Sequence, residues 1–102
     1  MTDAARKMLA ALWAKYRERV DQRLDVIENV LASARPGRLS GDQCAAAIRE
    51  AHKLAGCLGM FGLHDGTEQA RIIETELQQP HPDLERVRTA TATLRALLDA
   101  RA

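Results

Sequence analysis

Ala51-His52-Lys53-Leu54-Ala55-Gly56-Cys57-Leu58-Gly59-Met60-Phe61-Gly62 is the stretch whose reading decides the fold. It has the pattern of the second half of an amphipathic helix, yet it carries two glycines inside that helix. Each costs about 1 kcal/mol relative to alanine. On a helical wheel of about 100° per residue, Cys44, Ala47, Ile48, Ala51, Leu54, Ala55 and Leu58 gather on one side as a buried stripe. Arg49, Glu50 and Lys53 lie away from it. His52 falls at the border. Gly56 and Gly59, four and seven residues on, share the histidine's own face. The imidazole is therefore expected to stand proud of the surface beside open helix, where a partner can approach closely.

Working outward, the helix begins at Ser40 or Asp42, and Ser40 with Gln43 makes a capping box. Gly62 is a suitable stop, because glycine adopts the left-handed cap without penalty. Leu63-His64-Asp65-Gly66 then turns the chain, and Asp65 with Glu68 suggests a second capping box. A third helix carries Ala70, Ile73 and Leu77 inward, with Ile72 beside them. It ends before Pro80-His81-Pro82, and Pro82 suits the first turn of a fourth helix. That helix turns Leu84, Val87, Thr91, Leu94, Leu97 and Leu98 inward. Upstream, Leu9, Leu12, Trp13, Tyr16, Val20, Leu24, Ile27, Val30 and Leu31 recur at spacings of three and four. Thr2 or Asp3 caps this first helix, and Arg35-Pro36-Gly37 breaks it. About 30 residues would span about 45 Å, so this helix either overhangs the rest or bends into a short leading helix and a longer one. Four amphipathic patterns with short connections imply an all-α, antiparallel up-down four-helix bundle, with residues 1–102 as one domain.

Composition agrees. The 102 residues are rich in Ala, Leu, Arg and Glu, and only three are aromatic, so the core must be aliphatic. The net charge is +1 with both signs interspersed, and no basic block is present to neutralise a phosphate backbone. Nucleic acid is therefore not an expected partner. The apolar run at 8–14 is short and bracketed by Arg6, Lys7, Lys15 and Arg17, so no secretory leader is expected. No stretch reaches the roughly 20 apolar residues of a membrane span, and the expected location is cytoplasmic. The short termini favour a free-standing protein. Cys44 and Cys57 fall on one helix about 20 Å apart and do not pair. With no Cys-x-x-Cys or His-x-x-x-His spacing, no metal site is expected. His64 and His81 fall in turns and are expected to be structural or surface residues. Trp13 and Tyr16 are expected in the core or at a bundle end.

The run from Ala51 to Leu63 resembles the signature of histidine-containing phosphotransfer (HPt) domains: histidine, glycine four residues on, glycine seven residues on, then Phe61-Gly62-Leu63. These are four-helix bundles of two-component phosphorelays. The resemblance implies that His52 accepts a phosphoryl group from a phospho-aspartate on a receiver domain and passes it to another receiver. Gly56 and Gly59 would give access for docking, with Met60 as an adaptable apolar contact. Glu74, 22 residues after His52, occupies a position where family members often hold a polar residue that hydrogen-bonds the imidazole. Most members carry lysine three residues after the histidine, near the phosphoryl oxygens; here that residue is Ala55. Arg49 and Lys53 are the nearby cations, and the choice between them stays open.

The implied partners are response-regulator receivers or a hybrid histidine kinase. No cofactor is expected on this chain, since Mg²⁺ belongs to the receiver, and the chain is expected to be a monomer. There is no nucleotide loop, so the protein is expected to carry phosphoryl groups rather than make them from ATP. The alternative is an HPt-like bundle that docks or sequesters a signalling partner without being phosphorylated.

Overall fold

Two well-capped starts set the first half of the bundle. A computed structural model describes residues 2–34 and 37–101, and it is helical throughout. Helix α1 runs Asp3–Ala32, with the Thr2 hydroxyl accepting from the Ala5 amide. Helix α2 runs Gly41–Met60, and Ser40 and Gln43 form the expected reciprocal capping box. Gln43 also donates to the Ser33 hydroxyl, tying the end of α1 to the start of α2. Within the expected breaker, Arg35 and Pro36 lie outside the described residues. Gly37 takes the left-handed φ of +78°.

Gly62 ends α2 as its sequence suggests, with φ +73°. Leu63 N–H donates to Leu58 C=O at 2.9 Å and Gly62 N–H to Gly59 C=O at 3.1 Å, which together form a Schellman cap. This tight turn delivers the chain straight into α3, His64–Leu77, leaving no room for a separate capping residue. The expected Asp65–Glu68 capping box is therefore absent. Leu63 holds the cap position without a side-chain bond, and His64 opens the helix instead of lying in the turn. Pro82 is likewise displaced. Helix α4, Leu84–Ala100, is capped by Asp83, whose carboxylate accepts from the Glu85 and Arg86 amides, so the proline sits outside the first turn. Asp83 N–H is in turn bound by the Glu76 carboxylate. Replacing Asp83 by alanine is expected to cost about 1 kcal/mol, read as a lower midpoint in urea with an unchanged slope.

The four helices pack in sequence, α1 on α2, α2 on α3 and α3 on α4, with a thinner α1–α4 seam closing the ring. The centre is aliphatic: Val20, Leu24 and Ile27, Ala47, Ala51, Leu54 and Leu58, Ala70 and Ile73, Val87 and Leu94 have no exposed surface. Trp13 meets Phe61 edge to face at 5.2 Å between ring centroids and closes one end. The α1–α4 seam is ionic. Arg95 reaches Asp25 and Glu28 at 2.7 Å and Asp21 at 3.2 Å, and its hydrogen bond to Glu28 is the main reason its guanidinium holds its proton still more firmly than usual.

Helix α1 is a single helix, with no short leading helix split from it. Its first turns extend past the partners: all of residues 2–12 are exposed except the half-buried Leu9. Leu12, part of the apolar repeat, is accordingly 41% exposed. Leu97 departs from the inward position that its spacing predicts: it lies on the rim of α4 at 36% exposure while Leu94 and Leu98 fill the core beside it.

Candidate functional site

The site is built on α2 and completed by α3. Ala51, Leu54, Ala55 and Leu58 are buried and fix the rotation of α2 against the bundle. That rotation turns His52 outward, with 75% of its side chain exposed. Helix α3 runs antiparallel beside it. Thr67 donates its hydroxyl to Ala55 C=O at 3.1 Å in a buried contact that fixes the α2–α3 register. Two turns further along α3, Glu74 meets His52.

His52 Nδ1 and Glu74 Oε2 are 2.8 Å apart. A carboxylate only accepts, so the imidazole Nδ1 carries the hydrogen and donates it. In the neutral ring this leaves the lone pair on Nε2, which has no hydrogen-bond partner among the described residues. Glu74 is only 20% exposed, so the more confined side chain orients the freer one. The arrangement presents a single nucleophilic nitrogen to solvent in a defined tautomer. Removing the carboxylate with Glu74→Ala is expected to slow reaction at His52 about tenfold, the worth of one charge-assisted hydrogen bond at a partly exposed site. Single-turnover transfer rates would read this.

The two glycines are not equivalent. A Cβ placed on Gly56 would meet nothing within 4 Å, so packing does not require glycine there. A Cβ on Gly59 would lie 3.5 Å from Thr67 Oγ1, an ordinary contact beside the α3 crossing. Gly56 therefore leaves space on the outer surface, whereas Gly59 lies partly at the helix contact. Met60 is 64% exposed at the end of this strip.

Arg49 and Lys53 are exposed, and neither forms an ion pair or hydrogen bond among the described residues. Neither is held against the ring. Cys57, five residues after His52, lies on another side of α2, where burial raises its pKa and the charges of Arg19 and Arg23 only partly oppose this. It is a neutral thiol near pH 7 and serves as a small packing residue. Cys44 and Cys57 are both free. Among the described residues no group of three or more His, Cys, Asp or Glu could hold a metal ion, and no helix is long and apolar enough to cross a membrane. His64 and His81 are exposed.

Two features escaped sequence reasoning. One is the exposed pair Met8 and Leu12 on the overhanging part of α1. They continue the line of Tyr16, Arg19 and Arg23, the face of α1 from which Arg23 reaches Glu50 of α2. The other is Arg71, exposed on α3 one turn before Glu74 and free of ion pairs among the described residues. Its three-residue spacing from Glu74 was the available signal.

The family model described as the Hpt domain matches residues 11–101, which leaves out little more than the overhanging tip of α1. No curated protein and no solved structure matches the chain.

Proposed function

Because the chain belongs to the Hpt domain family, whose members serve phosphotransfer in two-component signalling, we propose that His52 is its phosphoryl acceptor and donor. The observation that carries this reading is the 2.8 Å bond from an exposed imidazole to Glu74, which leaves Nε2 free at the surface.

In the proposed step, His52 Nε2 attacks the phosphorus of a receiver's phospho-aspartate in line. The P–N bond forms as the acyl P–O bond breaks, and the receiver's aspartate leaves as a carboxylate. The ring gains positive character, and Nδ1–H then donates to the Glu74 carboxylate across a shorter, charge-assisted bond. Reversal onto a second receiver completes the relay. The receiver supplies Mg²⁺ and most of the charge stabilisation. Arg49 and Lys53 are the cations that α2 itself offers near the phosphoryl group. The docking face runs over Gly56, Gly59 and Met60 and continues to Leu12 and Met8, whose exposed apolar surface suits a protein partner. The chain acts as a monomeric cytoplasmic carrier and has no kinase activity of its own.

A second reading, a bundle that sequesters a partner without phosphorylation, draws on Ala55 at the position of the family's lysine. The two separate in one experiment: incubation with a receiver domain radiolabelled on its aspartate, in Mg²⁺. Label moving to this chain within seconds is expected. Stable binding with no transfer, across the receivers of the same genome, would establish the second reading.

A further inference from the structure

Phosphorylation at Nε2 sets a dianionic group at the surface, across the ring from the Glu74 carboxylate on Nδ1, so a nearby cation would stabilise it, and α2 is poorly arranged to give one. Ala55 is buried and apolar. Arg49, three residues before His52, is exposed and forms no hydrogen bond or ion pair among the described residues. Lys53 lies about 100° round α2, toward the side from which Glu50 pairs with Arg23 of α1.

Helix α3 offers a further cation, Arg71. Its register is set by two bonds, Thr67 to Ala55 C=O and Glu74 to His52. Arg71 lies between these two residues, about 60° from Glu74 round the helix and on the outer side. It lines the outer groove of α3 together with Thr67, whose hydroxyl meets Ala55 C=O of α2. Nothing stands over Gly56, where even a Cβ would have no neighbour within 4 Å. Arg71 is exposed and has no ion pair among the described residues, whereas Arg86, also lining the outer groove of α3, is paired with Glu76.

We infer that Arg71 is the residue that binds the phosphoryl group on phospho-His52, reaching from α3 across the open strip at Gly56 to do the work of the lysine missing at Ala55. A guanidinium suits this, since its fork matches two phosphoryl oxygens at once. The assignment rests on phosphorylation of His52 proposed above.

The test uses phosphoramidate, a small donor that needs no docked receiver: its P–N bond breaks, the bond to Nε2 forms, and ammonia leaves. At fixed phosphoramidate and ammonium concentrations, the ratio of phosphorylated to free protein is measured by ³¹P NMR for wild type, Arg71→Gln, Arg71→Lys, Arg49→Gln, Lys53→Gln and Lys15→Gln. Lys15, exposed on α1, controls for loss of one positive charge. Arg71→Gln is expected to lower the ratio about 3–10-fold, Arg71→Lys to recover part of it and Lys15→Gln to stay within about twofold of wild type. In wild type the Arg71 Nε–H resonance should shift on phosphorylation. A ratio for Arg71→Gln within twofold of wild type, or a larger fall in Arg49→Gln or Lys53→Gln, would overturn the assignment and leave phosphorylation of His52 standing. A wild-type protein that takes no phosphoryl group would overturn both.

Discussion

His52→Gln is expected to abolish phosphoryl acceptance while leaving the fold intact. Glutamine keeps a polar side chain of similar reach but offers only an amide nitrogen, whose lone pair is delocalised and not nucleophilic. No other side chain at the site replaces it. Cys57 lies on another side of α2 as a neutral thiol, and His64 opens the next helix. The stability change should stay within about 0.5 kcal/mol, as for most exposed substitutions, because three-quarters of the His52 side chain is in solvent. Loss of acceptance with an unchanged urea midpoint separates chemistry from folding. A substantial loss of stability would mean that the ring is a structural element.

Gly56→Gln carries the next largest effect, and its two consequences have opposite signs. Packing leaves room for the side chain, since no atom lies within 4 Å of a Cβ there. Helix propensity then favours the variant, by about 0.5–1 kcal/mol. The same side chain stands beside His52, on the surface where the receiver must bring its phosphorus in line with Nε2. A displacement of about 1 Å at a reacting centre costs on the order of 100-fold, and that loss is expected in transfer from a receiver. Phosphoramidate should still label the variant, because a small donor avoids the obstruction. A more stable protein that is slower only with the protein donor would identify Gly56 as a docking residue. Equal transfer rates for variant and wild type would contradict that role.

The helices and the core were legible because their signals are local. Ser40 with Gln43 caps α2, Gly62 takes the left-handed turn, and the apolar repeats give the buried faces. The outward turn of His52 follows from the same periodicity. What was not legible depends on competition or on tertiary register. Asp65–Glu68 is a sound capping sequence, but the Schellman turn at Gly62 leaves no residue free to use it. Asp83 outcompetes Pro82 for the start of α4 because it can accept two amide hydrogens. Leu12 belongs to an amphipathic pattern whose partners end before it does, so helix length decides its exposure. Leu97 belongs to the same stripe as Leu94 and Leu98, and only the packing of α4 decides which of them meets the core. The register of α3 against α2, which brings Glu74 to His52, is encoded by no spacing within either helix. Glu74 stood 22 residues from its partner, and only a family resemblance singled it out.

The most direct test is to locate the phosphoryl group after reaction with a phosphorylated receiver, by ³¹P NMR and by the stability of the label. The account predicts one phosphorus on His52 Nε2, labile in acid, stable in base and absent from His52→Gln. Label on His52→Gln, or label with the base lability of an acyl phosphate, would contradict it.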